Sequence, residues 1–459
     1  MAENDRQLDE KGMAHGPGVS WDELAAADSR QVPAFLLEDT YRELGSAPLS
    51  TDRYTSPEFF QREMDKMWPH VWQFAARDEE LRNSGDVVVY ENAGRSYLVT
   101  RQPDGSVKAF HNVCLHRGRK LRTANGSVGE FKCSYHAWTW NTDGSLKNIP
   151  SRWDFKHLDE QPLGLPEAEV GRWGGFIFIR EEPGGPSLEE FLGPLPAHFE
   201  RWKPEQRVTT AWAAKVVPAN WKACAEAFME AFHVIATHPQ IMPFTGDANS
   251  KYNLYNDNVN LAITPFGVTS PHLAGNELDQ QEVMDAFLKY NGRVVPKDTT
   301  ITVPDGLSAR KVMGDFNRKR FAEMAGVDLD HASDAEVQDA LTYNVFPNMS
   351  PWGGFSPSVL YRWRPWPDQD HTLMEVRILT PVPVGQPMPA AVSMQMLDAD
   401  APWASALGVL GGIVDQDMGN LPHVQTGMKV SKNKQLHLGN YQEVRIRHFH
   451  QTLDKYLAD

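Results

Sequence analysis

Between Trp72 and Ile179 apolar and polar residues alternate in short runs. Asp86–Tyr90, Ser96–Thr100, Val107–Phe110 and Gly175–Ile179 are separated by Asn-Ala-Gly and Asp-Gly turns. A period of two is that of a half-buried strand, so this stretch is predicted to be a small all-β region whose hairpin tips are free to carry loops. Upstream, Ser56-Pro57-Glu58 supplies an N-cap and a first-turn proline for a helix whose apolar face is Phe59, Phe60, Met64 and Met67. Trp21–Asp28 and Phe35–Leu44 read as short helical pieces in a polar arm over residues 1–50. Beyond Glu181 the period lengthens. A strand is expected over Ala211–Pro218, followed by helices over Trp221–Thr237, Gln280–Tyr290 and Ala309–Ala325. Tyr361–Pro365 and Thr372–Val382 read as an antiparallel pair turning at Asp368-Gln369-Asp370, and Tyr441–Leu457 as a last helix. Strands and helices come in blocks, which predicts an α+β architecture.

A chain of 459 residues exceeds one ordinary core, so two unequal domains are expected. No apolar run approaches the roughly 18 residues of a membrane span. The first thirty or so residues lack the cationic-then-apolar order of a signal peptide, and a cytoplasmic protein is expected. A net charge of -15 argues against nucleic acid and anionic membrane as partners. Only Cys114, Cys133 and Cys224 are present, too few for a disulfide framework and in keeping with a reducing compartment. The charge is uneven, because Arg117, Arg119, Lys120 and Arg122 crowd one segment with Lys132 and Lys147 nearby. They form either a solvated loop or a docking patch for an acidic electron donor.

That segment holds the most specific chemistry. Cys114-Leu115-His116 and Cys133-Ser134-Tyr135-His136 together offer two thiolates and two imidazoles. A Cys-x-His pair followed by a Cys-x2-His pair lets the cysteines bind one iron and the histidines another, the mixed ligand set of a Rieske [2Fe–2S] cluster. A zinc finger groups its cysteines in one pair and its histidines in the next, unlike these loops. Arg117-Gly118 and Ala137-Trp138 supply a small residue at each turn and aromatic cover on the second. Ser134 and Tyr135 are expected to donate hydroxyl bonds toward cluster sulfurs.

A second polar cluster lies in the apolar segment Asn220–Pro239. In a continuous helix Glu226, Glu230 and His233 share one face. His238 would be rotated from His233 by about 140°, so both reach one ion only if the helix ends or loosens between Ile235 and Thr237. Two histidines and a carboxylate match the facial triad of non-haem Fe(II) enzymes, although a satisfied buried pair fits the same residues.

The order of these motifs resembles the α subunit of Rieske non-haem iron aromatic ring-hydroxylating oxygenases from Thr55 to Leu457. The resemblance rests on both Rieske loops, on Asn220-Trp221-Lys222 with Glu226, Glu230, His233 and His238, and on Asp415-Gln416-Asp417 leading to Gln425-Thr426-Gly427. Phe346-Pro347-Asn348 and Tyr361-Arg362-Trp363-Arg364-Pro365 add to it. It implies a small all-β Rieske domain over residues 66–181. It also implies a catalytic domain over 51–65 and 182–459 with the helix-grip fold, a curved antiparallel sheet gripping a long helix. Cys114, His116, Cys133 and His136 would hold a [2Fe–2S] cluster, and His233, His238 and Asp417 a mononuclear Fe(II), with Asp415 excluded. Glu230 stands where the family usually has aspartate, and would bridge His233 to His136 of the next subunit in a ring of three. Phe232, Ala227 and Ala137 replace the common tyrosine, asparagine and glycine.

The implied activity is that of a terminal oxygenase acting with O2 on a hydrophobic, aromatic or polycyclic substrate. Its electrons would come from NAD(P)H through a ferredoxin, a reductase or both. Phe228, Met229, Phe232, Ile241, Met242 and Phe244 are candidate pocket walls, or ordinary core. Monooxygenation or oxidative demethylation by the same centre is an alternative, and an electron carrier with a ligand-binding domain is another.

Overall fold

The computed structural model describes residues 18–273, 278–290, 295 and 299–458. The chain forms two compact units, Gln61–Phe191 and a larger one made of the residues up to Phe60 together with those from Leu192 onward. Residues 1–17 of the expected arm lie outside the described residues. Its first helix is Trp21–Ala26, started by a capping box between Ser20 and Glu23. The second is shorter than expected, Ala34–Leu37. From Glu38 the backbone is extended, and the Thr40 N–H goes to Asn253 Oδ1 at 3.1 Å instead of a helical carbonyl.

In the smaller unit seven strands form one sheet, in the order Gln73–Arg77, Phe176–Arg180, Glu167–Trp173, Val107–His111, Arg95–Arg101, Asp86–Asn92 and Gly126–Ser127. Alternation sends Val88, Tyr90, Tyr97 and Val99 to one buried cluster, and Val87 and Leu98 to another on the opposite face. That second cluster contains Cys114, Cys133, Trp138 and Trp140. A small sheet of Phe131–Lys132, Thr139–Trp140 and Leu146–Asn148 carries the second metal loop.

The larger unit is built on an eight-stranded sheet, in the order Lys251–Leu254, Val259–Thr264, Ala340–Val345, Met349–Pro351, Ser358–Pro365, Thr372–Pro381, Arg207–Val217 and Gln395–Met396. All pairings are antiparallel except the last. Three neighbouring strands are tied by one buried carboxylate: Glu375 takes Arg362 and Arg364 at 2.7 and 2.6 Å and the Trp212 indole N–H at 3.1 Å. Burial alone would raise its pKa, but Arg362, Arg364 and Arg377 hold it well below the usual carboxylate range.

Against the Arg207–Val217 strand packs a long helix, Ala404–Val430, that the sequence pattern did not reveal. Its buried positions, Gly411, Val414, Asp417, Met418, Leu421, Gln425 and Met428, follow a helical period. Gly408, Gly411, Gly412, Gly419, Gly427 and Pro422 obscure that period in the sequence. Gly411 is required by close approach, since a Cβ there would lie 2.4 Å from the backbone of Trp403 and Ala404. The antiparallel sheet with this helix is the helix-grip arrangement, and the last helix starts at Val444, not Tyr441.

Two candidate metal centres

The two cysteine loops share one backbone design. Cys114 N–H donates to Arg119 O at 2.8 Å and Gly118 N–H to Cys114 O at 2.9 Å. The same steps recur as Cys133 N–H to Trp138 O at 2.9 Å and Ala137 N–H to Cys133 O at 3.0 Å. Each loop turns on a left-handed residue, Gly118 at φ 73° and Ala137 at φ 59°. Burial pushes the Cys114 thiol up, the N–H groups of His116 and Arg117 act against it, and the neighbouring Cys133 thiol adds to the rise. His116 and His136 rings lie 4.6 Å apart, with His116 stacked on Trp138 at 5.2 Å and Phe155 set edge-on to both His116 and Trp138.

His116 Nδ1 is buried and has no hydrogen-bond partner, an expensive state for an imidazole nitrogen unless a metal takes its lone pair. Two adjacent thiols, an orphaned nitrogen and N–H groups aimed at sulfur fit a [2Fe–2S] cluster. His136 is exposed. Tyr135 and Ser134 make no hydrogen bond to the cysteines among the described residues. The Tyr135 ring lies 3.8 Å from that of His136 and its hydroxyl accepts Arg117 Nη1 at 3.2 Å, which leaves its proton free to donate. Of the basic residues, Lys120 pairs with Glu91 and Lys147 with Glu130, whereas Arg117, Arg119 and Arg122 have no carboxylate partner among the described residues.

The expected helix over Trp221–Thr237 is instead two helices, Trp221–Glu226 and a single turn, Val234–Thr237. Glu226, Glu230 and His233 therefore do not share a helical face. Glu226 accepts the Tyr54 hydroxyl at 2.9 Å and His450 Nε2 at 2.8 Å. The break has a local cause: Glu230 Oε2 accepts the His233 backbone N–H at 3.0 Å, displacing a helical carbonyl, while its Oε1 holds His233 Nδ1 at 2.7 Å. The second helix ends at Thr237, and His238 leaves helical geometry with φ -126° and ψ 49°.

These turns bring His233, His238 and Asp417 together with their ligand atoms all within 4.8 Å of one another. Asp417 Oδ1 lies 2.7 Å from His238 Nε2 and 3.5 Å from His233 Nε2. Burial opposes a charge on His233, but the Glu230 hydrogen bond, with the charges of Glu230, Asp417 and Asp247, raises its pKa to about 9. The donor set is thus built around positive charge and fits a divalent ion with two nitrogens and one carboxylate. Gln416, which sequence reasoning passed over, accepts His238 Nδ1 at 2.9 Å and Gln240 Nε2 at 2.6 Å, fixing the ring. Its only signal was its place beside Asp417. Asp415 turns elsewhere and accepts the Trp403 and Ala404 N–H groups at 2.8 and 3.2 Å.

The candidate walls divide. Phe228 packs on Tyr361 and Trp363 at 4.4 and 5.6 Å, and Met229 and Met242 are buried. Phe244 belongs to a core cluster with Met284 and Phe287, against which Ile241 packs. Phe232 is exposed beside His272. A cavity of about 420 Å³ lies among Val19, Leu24, Asn249, Val283, Arg310 and Lys311, and none of the six walls lines it.

The family description "Ring hydroxylating alpha subunit (catalytic domain)" matches residues 197–459, and "Rieske [2Fe-2S] domain" matches residues 71–159. The chain belongs to the ring-hydroxylating alpha-subunit family. The naphthalene 1,2-dioxygenase large oxygenase component of Pseudomonas aeruginosa is 35% identical over 196 residues, 39% of this chain and 42% of the relative. The glycine betaine monooxygenase oxygenase subunit of Chromohalobacter salexigens is 31% identical over 222 residues, 48% of each chain. The chain thus spans under half the length of these two family members.

Among solved structures, the quaternary ammonium Rieske monooxygenase CntA with L-carnitine superposes with a TM-score of 0.64 at 16% identity, over 92% of this chain and 100% of that one. Naphthalene 1,2-dioxygenase with indole gives 0.63 at 21% identity, over 92% and 94%. At these identities the likeness shows the fold. Rieske domains of the family bind a [2Fe–2S] cluster and its catalytic domains a mononuclear iron, and both donor sets here fit those cofactors. No helix among the described residues is long and apolar enough to cross a membrane.

Proposed function

We propose that this chain is the terminal oxygenase of a multicomponent system in the cytoplasm, hydroxylating a small hydrophobic, aromatic or polycyclic substrate with O2. The convergence of His233, His238 and Asp417 carries this reading, because three ligands leave positions open for both O2 and substrate. An iron held there, supplied with electrons by the [2Fe–2S] centre, provides the oxygen activation. The protein's part is to aim the imidazoles, which Glu230 and Gln416 do from the far ring nitrogens. Cys114, His116, Cys133 and His136 hold the cluster in this reading, and Glu230 also receives the exposed His136 of a neighbouring copy in a homotrimer. Arg117 and Arg119 are assigned to docking of an acidic ferredoxin or NAD(P)H-dependent reductase. Phe228, Met229, Phe232, Ile241, Met242 and Phe244 are proposed to line the substrate pocket.

Metal analysis tests the core of this reading. Three irons per chain, falling to two in Asp417→Ala with the cluster spectrum intact, is the expected result. Two irons in the parent chain would indicate an electron carrier instead.

Monooxygenation, with oxidative demethylation as one form, is a second reading. It is favoured by similarity to glycine betaine and carnitine monooxygenase oxygenase subunits. Turnover under 18O2 separates the two, since a dioxygenase product carries both labelled atoms and a monohydroxylated product one, while a demethylated product carries none because the labelled oxygen leaves with the released aldehyde.

A further inference from the structure

The side chain of Arg445, at the start of the helix Val444–Leu457, is fully buried, with no carboxylate in ion-pair range among the described residues. Its Nε donates to Asn260 Oδ1 at 2.5 Å and its Nη1 to Met229 O at 3.3 Å. Nη2 is buried without a partner, as is the Tyr252 hydroxyl. Burial depresses the guanidinium to about 9, while the Glu230 carboxylate acts the other way. A guanidinium so placed is costly unless its charge and donors are used nearby.

The use is visible in the broken helix. Were Trp221–Thr237 continuous, the His233 N–H would donate to Met229 O. Instead the His233 N–H goes to Glu230 and the Met229 carbonyl to Arg445. The two ends of one missing helical bond are therefore satisfied by these two side chains.

We infer that Arg445 is the positioning residue for Glu230: it holds open the break that turns Glu230 onto His233 and sets a buried positive charge near that carboxylate, beyond ion-pair range. This rests on the reading of Glu230 as the carboxylate joining the two centres. Arg445 acts from a helix more than 200 positions away in the chain. The geometry of the junction then depends on how the last helix packs.

The test is single-turnover oxidation of the reduced cluster in the holoenzyme, with substrate and O2, alongside iron content and the EPR spectrum of the nitric oxide adduct of the Fe(II) site. Arg445→Met is expected to slow cluster oxidation by about tenfold and perturb the nitrosyl spectrum while both metals stay bound. Arg445→Lys, which keeps the charge but cannot make both hydrogen bonds, should recover much of the rate. In a Glu230→Gln background either substitution should add almost nothing. Equal slowing in both backgrounds, or a wild-type rate and spectrum in Arg445→Met, would overturn the inference. Should Arg445→Met not fold, Arg445→Lys carries the same cycle with a smaller expected slowing. A wild-type rate in Glu230→Gln alone would overturn the reading of Glu230 itself, and the inference with it. A slow Glu230→Gln with a fast Arg445→Met would overturn only the inference.

Discussion

The cysteine loops of the smaller unit and the histidine–aspartate cluster of the larger one differ in how far the chain travels to assemble them. Each loop closes on itself through two backbone hydrogen bonds, repeated almost identically at Cys114 and Cys133. The second centre needs Asp417, 179 positions beyond His238, delivered by a kinked helix packed on the central sheet. Its histidines also lie on either side of a single helical turn, held by side chains. The first centre is therefore encoded locally, and the second is a consequence of the whole fold around it.

The largest expected effects test whether the centres are separable. Cys133→Ser should abolish the cluster's visible absorbance and EPR signal while leaving one iron per chain. Asp417→Ala should do the reverse, retaining the cluster and losing turnover completely. A cluster that survives Cys133→Ser would break the comparison at its first term. Loss of both centres in either variant would show that they are not assembled independently.

The same contrast governs what could be read in advance. The ligand spacing of the cluster loops is local, so Cys114, His116, Cys133 and His136 were legible directly. The hairpins followed from alternation and from their turns. His233 and His238 stand out within their own segment, whereas Asp417 follows only from the resemblance, and the fold brings the three together. The break after Glu226 was not legible as drawn. Glu230 takes a backbone N–H three residues on in a segment that also suits a continuous helix, and Arg445, which takes Met229 O, lies 216 positions away. The helix Ala404–Val430 was hidden by glycines that permit close packing, a tertiary reason for residues that locally disfavour a helix.

Acid should act mainly on the larger unit. His198 and His448 are buried there, and burial lowers both to about 4. The unfolded chain binds their protons near pH 6.5, so folding free energy is lost as pH falls from 6.5 toward 4, by up to about 3 kcal/mol for each. Below the folded value the folded state also binds a proton and the slope disappears. Urea unfolding at pH 6.5 and 4.5 should show the loss, and His198→Phe should reduce it while keeping the stack on Phe35. If the second centre depends on the whole fold, its iron should leave before the cluster bleaches. The opposite order would reverse the comparison.

A smaller effect separates two neighbouring carboxylates of the kinked helix. Asp415→Ala removes the acceptor of two N–H groups at Trp403 and Ala404, which should cost about 1 kcal/mol by analogy with other helix caps. Three irons per chain should remain. Iron loss equal to that of Asp417→Ala would mean that the carboxylate assignment is inverted.

The smallest prediction compares the two cysteine loops with each other. Gly118 and Ala137 occupy the same step of the shared backbone design, both at positive φ. Alanine in that region is strained by roughly 1 kcal/mol relative to glycine, whereas glycine loses about 0.5 kcal/mol or more of chain entropy on folding. Ala137→Gly should therefore stabilise the loop by no more than about 0.5 kcal/mol. No atom lies within 4 Å of a Cβ built on Gly118, so Gly118→Ala would meet backbone strain alone. It should destabilise by an amount of similar size and opposite sign. Denaturant bleaching of the cluster measures both. Opposite shifts of comparable size would mean the loops are equivalent turns that tolerate one alanine. If instead Ala137→Gly destabilised the cluster, the Ala137 methyl would have to contribute packing beside Trp138, and the two loops would share a backbone without sharing an energetic role.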